Sequence, residues 1–162
     1  ARIKLHFPMR IWTTPLLLIV VVPSNAQDQR QPLLAELNTL YRGEVKFRID
    51  KDDRLVADFF DASGHFRQEA VYIEYLDSTG YRFNAEENAV VMNCNAANAN
   101  CIEKEIFELN VIRHTGRSNF PVPRGDSEGR NTITTLGRLV GQVQVEMARV
   151  AAETHARPMR KK

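Results

Sequence analysis

In residues 44–49 the apolar side chains recur at every second position, and in residues 133–150 they recur at every third or fourth. That change of period restricts the chain to folds that lay a helix against a sheet. In the first stretch Val45, Phe47 and Ile49 alternate with Glu44, Lys46 and Arg48, which predicts a strand with one wet face. In the second, Leu136, Val140, Val143, Met147 and Val150, supported by Ile133 and Leu139, form one apolar stripe. Such a helix is not stable alone in water and is expected to bury the whole stripe on the sheet.

The intervening chain supplies the sheet. Residues 55–60 return as a second strand after the acidic turn at Asp50, Asp52 and Asp53, and residues 67–76 form a third between two polar turns. Residues 81–84 and 89–93 make the fourth and fifth. Residues 102–112 read either way: Ile102, Ile106 and Leu109 suit a helix face, whereas Phe107, Leu109 and Val111 alternate as a strand. Strand is favoured, because a hairpin would bring Cys94 and Cys101 together. Residues 113–130 read as a loop, broken by a brief edge strand at 119–122. Ahead of the sheet, Pro32 and Leu33, Leu34, Leu37, Leu40 and Tyr41, with Gly43 beyond them, predict a short amphipathic helix. Asp126 or Ser127 can cap the long C-terminal helix, Glu128 suits its first turn and Pro158 ends it.

The expected fold is therefore α+β: an antiparallel sheet or split barrel of about six to seven strands, with a short N-terminal helix and a long C-terminal helix packed on it. As a succession of elements, residues 44–152 resemble the pleckstrin-homology-like fold, which implies a bent sheet closed at one end by the C-terminal helix. More broadly, the chain resembles small exported bacterial proteins with a cysteine-closed hairpin, a resemblance that carries over no site residues.

Export is read from the start of the chain. Arg2, Lys4 and Arg10 precede the apolar residues 11–22, after which Pro23, Ser24, Asn25 and Ala26 supply a breaker and a small-x-small cleavage pattern. Residues 1–26 are expected to be a signal peptide, with an uncleaved anchor as the alternative and Met9 as a possible start. Residues 27–156 are then one globular domain and 157–162 a basic tail. The net charge of +2 comes from both ends: without Arg2, Lys4, Arg10, Arg157, Arg160, Lys161 and Lys162, 15 of the 22 basic residues face 20 acidic ones. A body of net negative charge excludes nucleic acid as the expected partner, and membrane contact is expected only through the signal segment.

Cys94 and Cys101 are the only cysteines. Their spacing suits a local disulfide in an oxidising compartment better than a redox pair or a metal site, since His65, His114 and His155 stand in no ligand spacing to them. Asp50, Asp52 and Asp53 lack the glycine and glutamate of a calcium loop and read as a solvated turn. No catalytic or metal-ligating set, phosphate loop or cofactor motif is present. In Arg124-Gly125-Asp126 the aspartate serves better as a helix cap than as a receptor ligand. Arg113, Arg117, Phe120, Arg124 and Arg130 join arginine to an aromatic, the composition of binding surfaces.

The expected function is an exported, non-catalytic binding or assembly module for a protein or an envelope polymer. The alternatives are a small secreted hydrolase, or a hydrophobic-ligand carrier with a pocket between helix and sheet. An inhibitor using the arginine-rich loop as bait is a third.

Overall fold

The computed structural model describes residues 29–156; the expected signal segment, the basic tail and Pro158 lie outside them. The chain is α+β. Helix α1 (Arg30–Tyr41) is followed by β1 (Val45–Ile49), β2 (Arg54–Asp61), β3 (Gly64–Tyr72), β4 (Arg82–Asn84), β5 (Ala89–Asn93), β6 (Ile102–Ile106), β7 (Val111–Thr115) and β8 (Arg117–Pro121), and helix α2 (Arg130–Ala156) closes the order. The strands form two antiparallel sheets, a large one in the order β1-β2-β3-β6-β7 and a small one in the order β4-β5-β8, with no closed barrel.

Local chemistry accounts for the ends of α1. Leu33, Leu34, Leu37 and Tyr41 make its buried face, and the chain leaves through left-handed Arg42 (φ 50) and Gly43 (φ 93). At α2, Asp126 accepts hydrogen bonds from the amides of Asn131 (2.8 Å) and Thr132 (2.9 Å) and from the Thr132 hydroxyl (2.8 Å), which satisfies donors that a helix start leaves open. Glu128 is not in the first helical turn: it sits at φ 55 in a short 3-10 turn before Arg130.

The core is filled from both sheets and both helices. Tyr41, Phe47, Phe120 and Phe59 form an aromatic ladder with centroid spacings of 5.3, 5.4 and 5.7 Å. Leu136, Leu139, Val140 and Val143 of α2 pack into the same cluster. The two helices run antiparallel: Arg30 pairs with Glu146 at 2.9 Å, and the Thr135 hydroxyl donates to Glu36 at 2.7 Å.

Four sequence expectations need correction. The third strand ends at Tyr72, because Ile73–Tyr75 turns as a 3-10 segment that carries Ile73 into the core. Residues 102–112 are neither one strand nor a helix: Phe107–Leu109 is a 3-10 turn, left-handed Asn110 ends it, and β7 follows. Residues 113–130 hold more strand than expected: β7 reaches Thr115, and the edge strand expected at 119–122 is β8, which starts at Arg117. The apolar stripe of α2 is buried only as far as Val143; Met147 is 41% and Val150 50% exposed.

The cysteines meet, with Sγ atoms 2.10 Å apart, but not in a hairpin. β5 pairs with β4 and β8, whereas β6 pairs with β3 and β7. The disulfide sits where the chain crosses from the small sheet to the large one, and a ring of this size contributes about 2–3 kcal/mol. The β7-to-β8 crossing lies beside it: Gly116 accepts a hydrogen bond from the Cys94 amide at 2.9 Å. A Cβ at Gly116 would collide with the carbonyl oxygen of Ala99. Gly116→Ala is expected to lower stability by about 1–3 kcal/mol in urea unfolding, and an unchanged midpoint would contradict this packing of the two crossings.

Candidate functional site

The arginine-rich set is dispersed. Phe120 is 0% exposed and stacks on Phe59, so it cannot form a rim. Arg113 is exposed on β7; Arg117 on β8 donates to Glu87 at 2.5 Å; Arg124 is exposed in the connection to α2; Arg130 pairs with Glu128 at 2.7 Å. Asp126 of the tripeptide is 3% exposed and held in its cap.

A different surface gathers aromatic rings and cations. A cleft of about 820 Å³ opens where α1 exits and where β1, β2, β3 and β8 end; Arg42, Lys46, Phe60, Phe66, Arg67 and Pro121 are among its lining. The β2–β3 ladder slips between Phe59 and Phe60: Phe59 pairs with Arg67 and Phe60 with His65. Phe66 is the extra residue of this bulge, packing toward the core with its ring 6.4 Å from Phe59. Re-aiming a side chain is what a bulge does.

The cleft lining carries three cations, Arg42, Lys46 and Arg67. Arg42 and Lys46 have no carboxylate within 4.0 Å among the described residues; Lys46 instead lies 4.7 Å from the Phe60 ring centre. The Arg67 guanidinium carbon is 3.8 Å from the Phe59 centroid. Two acids, Glu44 and Asp61, share the lining. Asp61 keeps its charge: the Ser63 hydroxyl (2.6 Å) and amide (2.8 Å) bind it and hold its pKa below the usual carboxylate value.

Arg42 occupies this rim in a left-handed conformation that favours glycine.

Behind the cleft lies a sealed ionic centre. Glu69 of β3 is 3% exposed, accepts a hydrogen bond from the Ser118 hydroxyl of β8, and has Lys104 Nζ at 3.0 Å and Arg67 Nε at 3.3 Å. It joins the large sheet to the small one. Its burial gives it a structural role, and Arg67 links it to the cleft wall.

A second, smaller cleft of about 380 Å³ adjoins the disulfide, with Arg54, Tyr72, Tyr75, Asn100, Glu103 and His114 among its lining. Glu103 and His114 are cross-strand partners, and Arg54 is 3.5 Å from Glu103. The only sulfur there belongs to Cys101, which is bonded to Cys94. His65 lies elsewhere, between Phe60 (4.7 Å) and Phe107 (4.6 Å) and 3.3 Å from Asp58. Burial alone would raise the pKa of Asp58, but hydrogen bonds from Arg48 and Gln68 outweigh it and hold the group low. No group of three or more His, Cys, Asp or Glu side chains is placed to hold a metal among the described residues. The Asp50 carboxylate is taken up by the amides of Asp52 and Arg54 and by the Arg54 side chain, each at 2.9 Å.

Comparison with known proteins found no matching family model, no similar curated protein and no similar solved structure.

Proposed function

We propose that the protein is an exported, non-catalytic binding module that seats an anionic ligand carrying an apolar or aromatic group, such as an acidic segment of a partner protein. The observation that carries this reading is the pair of unanswered cations, Arg42 and Lys46, above the phenylalanine floor of the larger cleft. The disulfide supports residence in an oxidising compartment, and the apolar residues 11–22 support export by a signal peptide.

The hydrolase alternative rests on the His114 and Glu103 pair in the smaller cleft. Its lining offers acid and base groups but no aliphatic hydroxyl or free thiol. The carrier alternative needs space between helix and sheet, where Leu136, Leu139, Val140 and Val143 are packed at 0–3% exposure.

The test uses an anionic aromatic probe, 8-anilinonaphthalene-1-sulfonate, titrated by fluorescence. Lys46→Glu is expected to weaken binding about tenfold and Arg42→Gly about fivefold, the size of one or two partly screened charge contacts. Arg42→Gly also relieves a left-handed arginine, so its unfolding midpoint is expected to hold or rise. Equal affinity in both variants would remove this cleft as the seat.

A further inference from the structure

The buried stripe of α2 does not stop where its cover stops. Leu136, Val140 and Val143 are 0–3% exposed, and the same four-three spacing continues through Met147 and Val150 at 41% and 50%. Residues 148–155 are all exposed. This half of α2 is roughly 20 Å long, and a solvated helix of that length has little stability of its own.

Its side chains are sorted by face. At 100° per residue, Glu146, Arg149 and Glu153 fall together on one narrow strip. Val145, Met147, Ala148, Val150, Ala151 and Ala152 spread over the remaining arc, interrupted by Thr154, His155 and the half-buried Gln144, whose amide donates to the Leu76 carbonyl at 2.9 Å. The charges of the strip are paired: Glu146 with Arg30 at 2.9 Å, which also holds Asp53 at 3.0 Å, and Arg149 with Glu153 at 3.0 Å. A shallow cleft of about 420 Å³ lined by Arg30, Asp53, Glu146, Met147, Val150 and Ala151 leads from this surface toward α1.

The charge that would choose a partner lies just beyond. Arg157, Arg160, Lys161 and Lys162 follow the helix with no acidic residue among them. The domain itself is net negative, and this run of four cations with no acid among them stands next in sequence to the exposed face. Gln29, the first described residue, accepts a hydrogen bond from Gln142 at 2.8 Å, one to two turns before Met147.

We propose that residues 144–156 of α2, with the basic residues that follow, dock on the surface of a membrane rich in anionic lipid. Met147, Val150 and the alanines enter the headgroup boundary, and the four cations hold the lipid charge. This departs from the expectation that membrane contact ends with the signal segment. It does not depend on the cleft at Arg42 and Lys46, which is built by α1 and the strands. No helix of the described residues is long and apolar enough to cross a membrane, which suits contact from the surface.

The experiment is co-sedimentation of the chain beginning at Gln27 with vesicles of phosphatidylcholine alone and of phosphatidylcholine with phosphatidylglycerol. The core spans Leu33 to Val143, so this form retains all of it. Binding is expected to the anionic vesicles and to weaken with salt. Met147→Glu with Val150→Glu is expected to reduce partitioning at least tenfold, and replacing the four tail cations by serine to reduce it by about fivefold per residue removed. Both variants change exposed or terminal positions, and an unaltered thermal midpoint confirms that folding is kept. Chain left in the supernatant overturns the proposal, as does equal binding by the Glu variant. Concentration-dependent dimers lost in that variant, without vesicle binding, assign the face to a second copy and overturn it as well.

Discussion

Glu69→Ala is expected to lower the free energy of unfolding by about 3–5 kcal/mol, the range for removing one partner of a buried ion pair. The carboxylate is 3% exposed, and it answers Lys104 Nζ at 3.0 Å and Arg67 Nε at 3.3 Å. Those side chains are only 19% and 23% exposed, so deletion leaves two cations that water reaches poorly. It also removes the acceptor for the Ser118 hydroxyl, the bond that joins β3 of the large sheet to β8 of the small one. Glu69→Gln keeps an acceptor for Ser118 and loses only the charge, so its loss is expected to be smaller. Urea unfolding measures both. If Glu69→Ala costs less than about 1 kcal/mol, a normal outcome for an exposed pair, the ionic centre is not what joins the sheets.

The second large effect is expected at Phe120. Its ring is fully buried, stacks on Phe59 at 5.7 Å with planes 7° apart, and lies 5.4 Å from Phe47. Both sheets close over it, so truncation leaves a cavity that neither can collapse to fill. Phe120→Ala is therefore expected to cost about 3–5 kcal/mol, read by the same unfolding measurement. A surface phenylalanine in a binding loop would lose well under 1 kcal/mol, so this variant separates the observed core position from the loop position expected from composition. Phe120→Leu retains most of the volume and is expected to recover much of the loss.

What was legible in the sequence followed from one-sided burial. β1 alternates because one face is covered and the other wet, and its alternation is plain in Val45, Phe47 and Ile49. The first half of α2 and all of α1 are legible for the same reason. β7 is not, because as an edge strand it is exposed at its three central residues and has no apolar phase to read. β8 was legible only in its second half, as the edge strand expected at 119–122; its start at Arg117 was not, and its inward residues are Ser118 and Phe120. The division into two sheets depends on which strands pair, a long-range choice that local pattern does not encode.

The ionic centre did leave a mark. Glu69 shares its phase with Val71, and Lys104 shares its phase with Ile102 and Ile106, so each charge stands on an apolar face. A charge in that phase signals a buried partner. The cleft left none: the slip between Phe59 and Phe60 that releases Phe66 is fixed by the pairing of β2 with β3, not by any turn residue. Arg42 reads from sequence as an ordinary residue at a helix end, and only its backbone angle marks it.

The claim that the larger cleft is the binding seat is tested most directly by following backbone amide resonances of the chain beginning at Gln27 during titration with 8-anilinonaphthalene-1-sulfonate. The largest shifts are expected on Arg42, Gly43, Lys46, Phe60, Phe66 and Arg67, which line one cleft though they are spread over 26 positions of the chain. Largest shifts at Tyr72, Glu103 and His114, with Arg42 and Lys46 unmoved, would place the seat at the disulfide corner and contradict it.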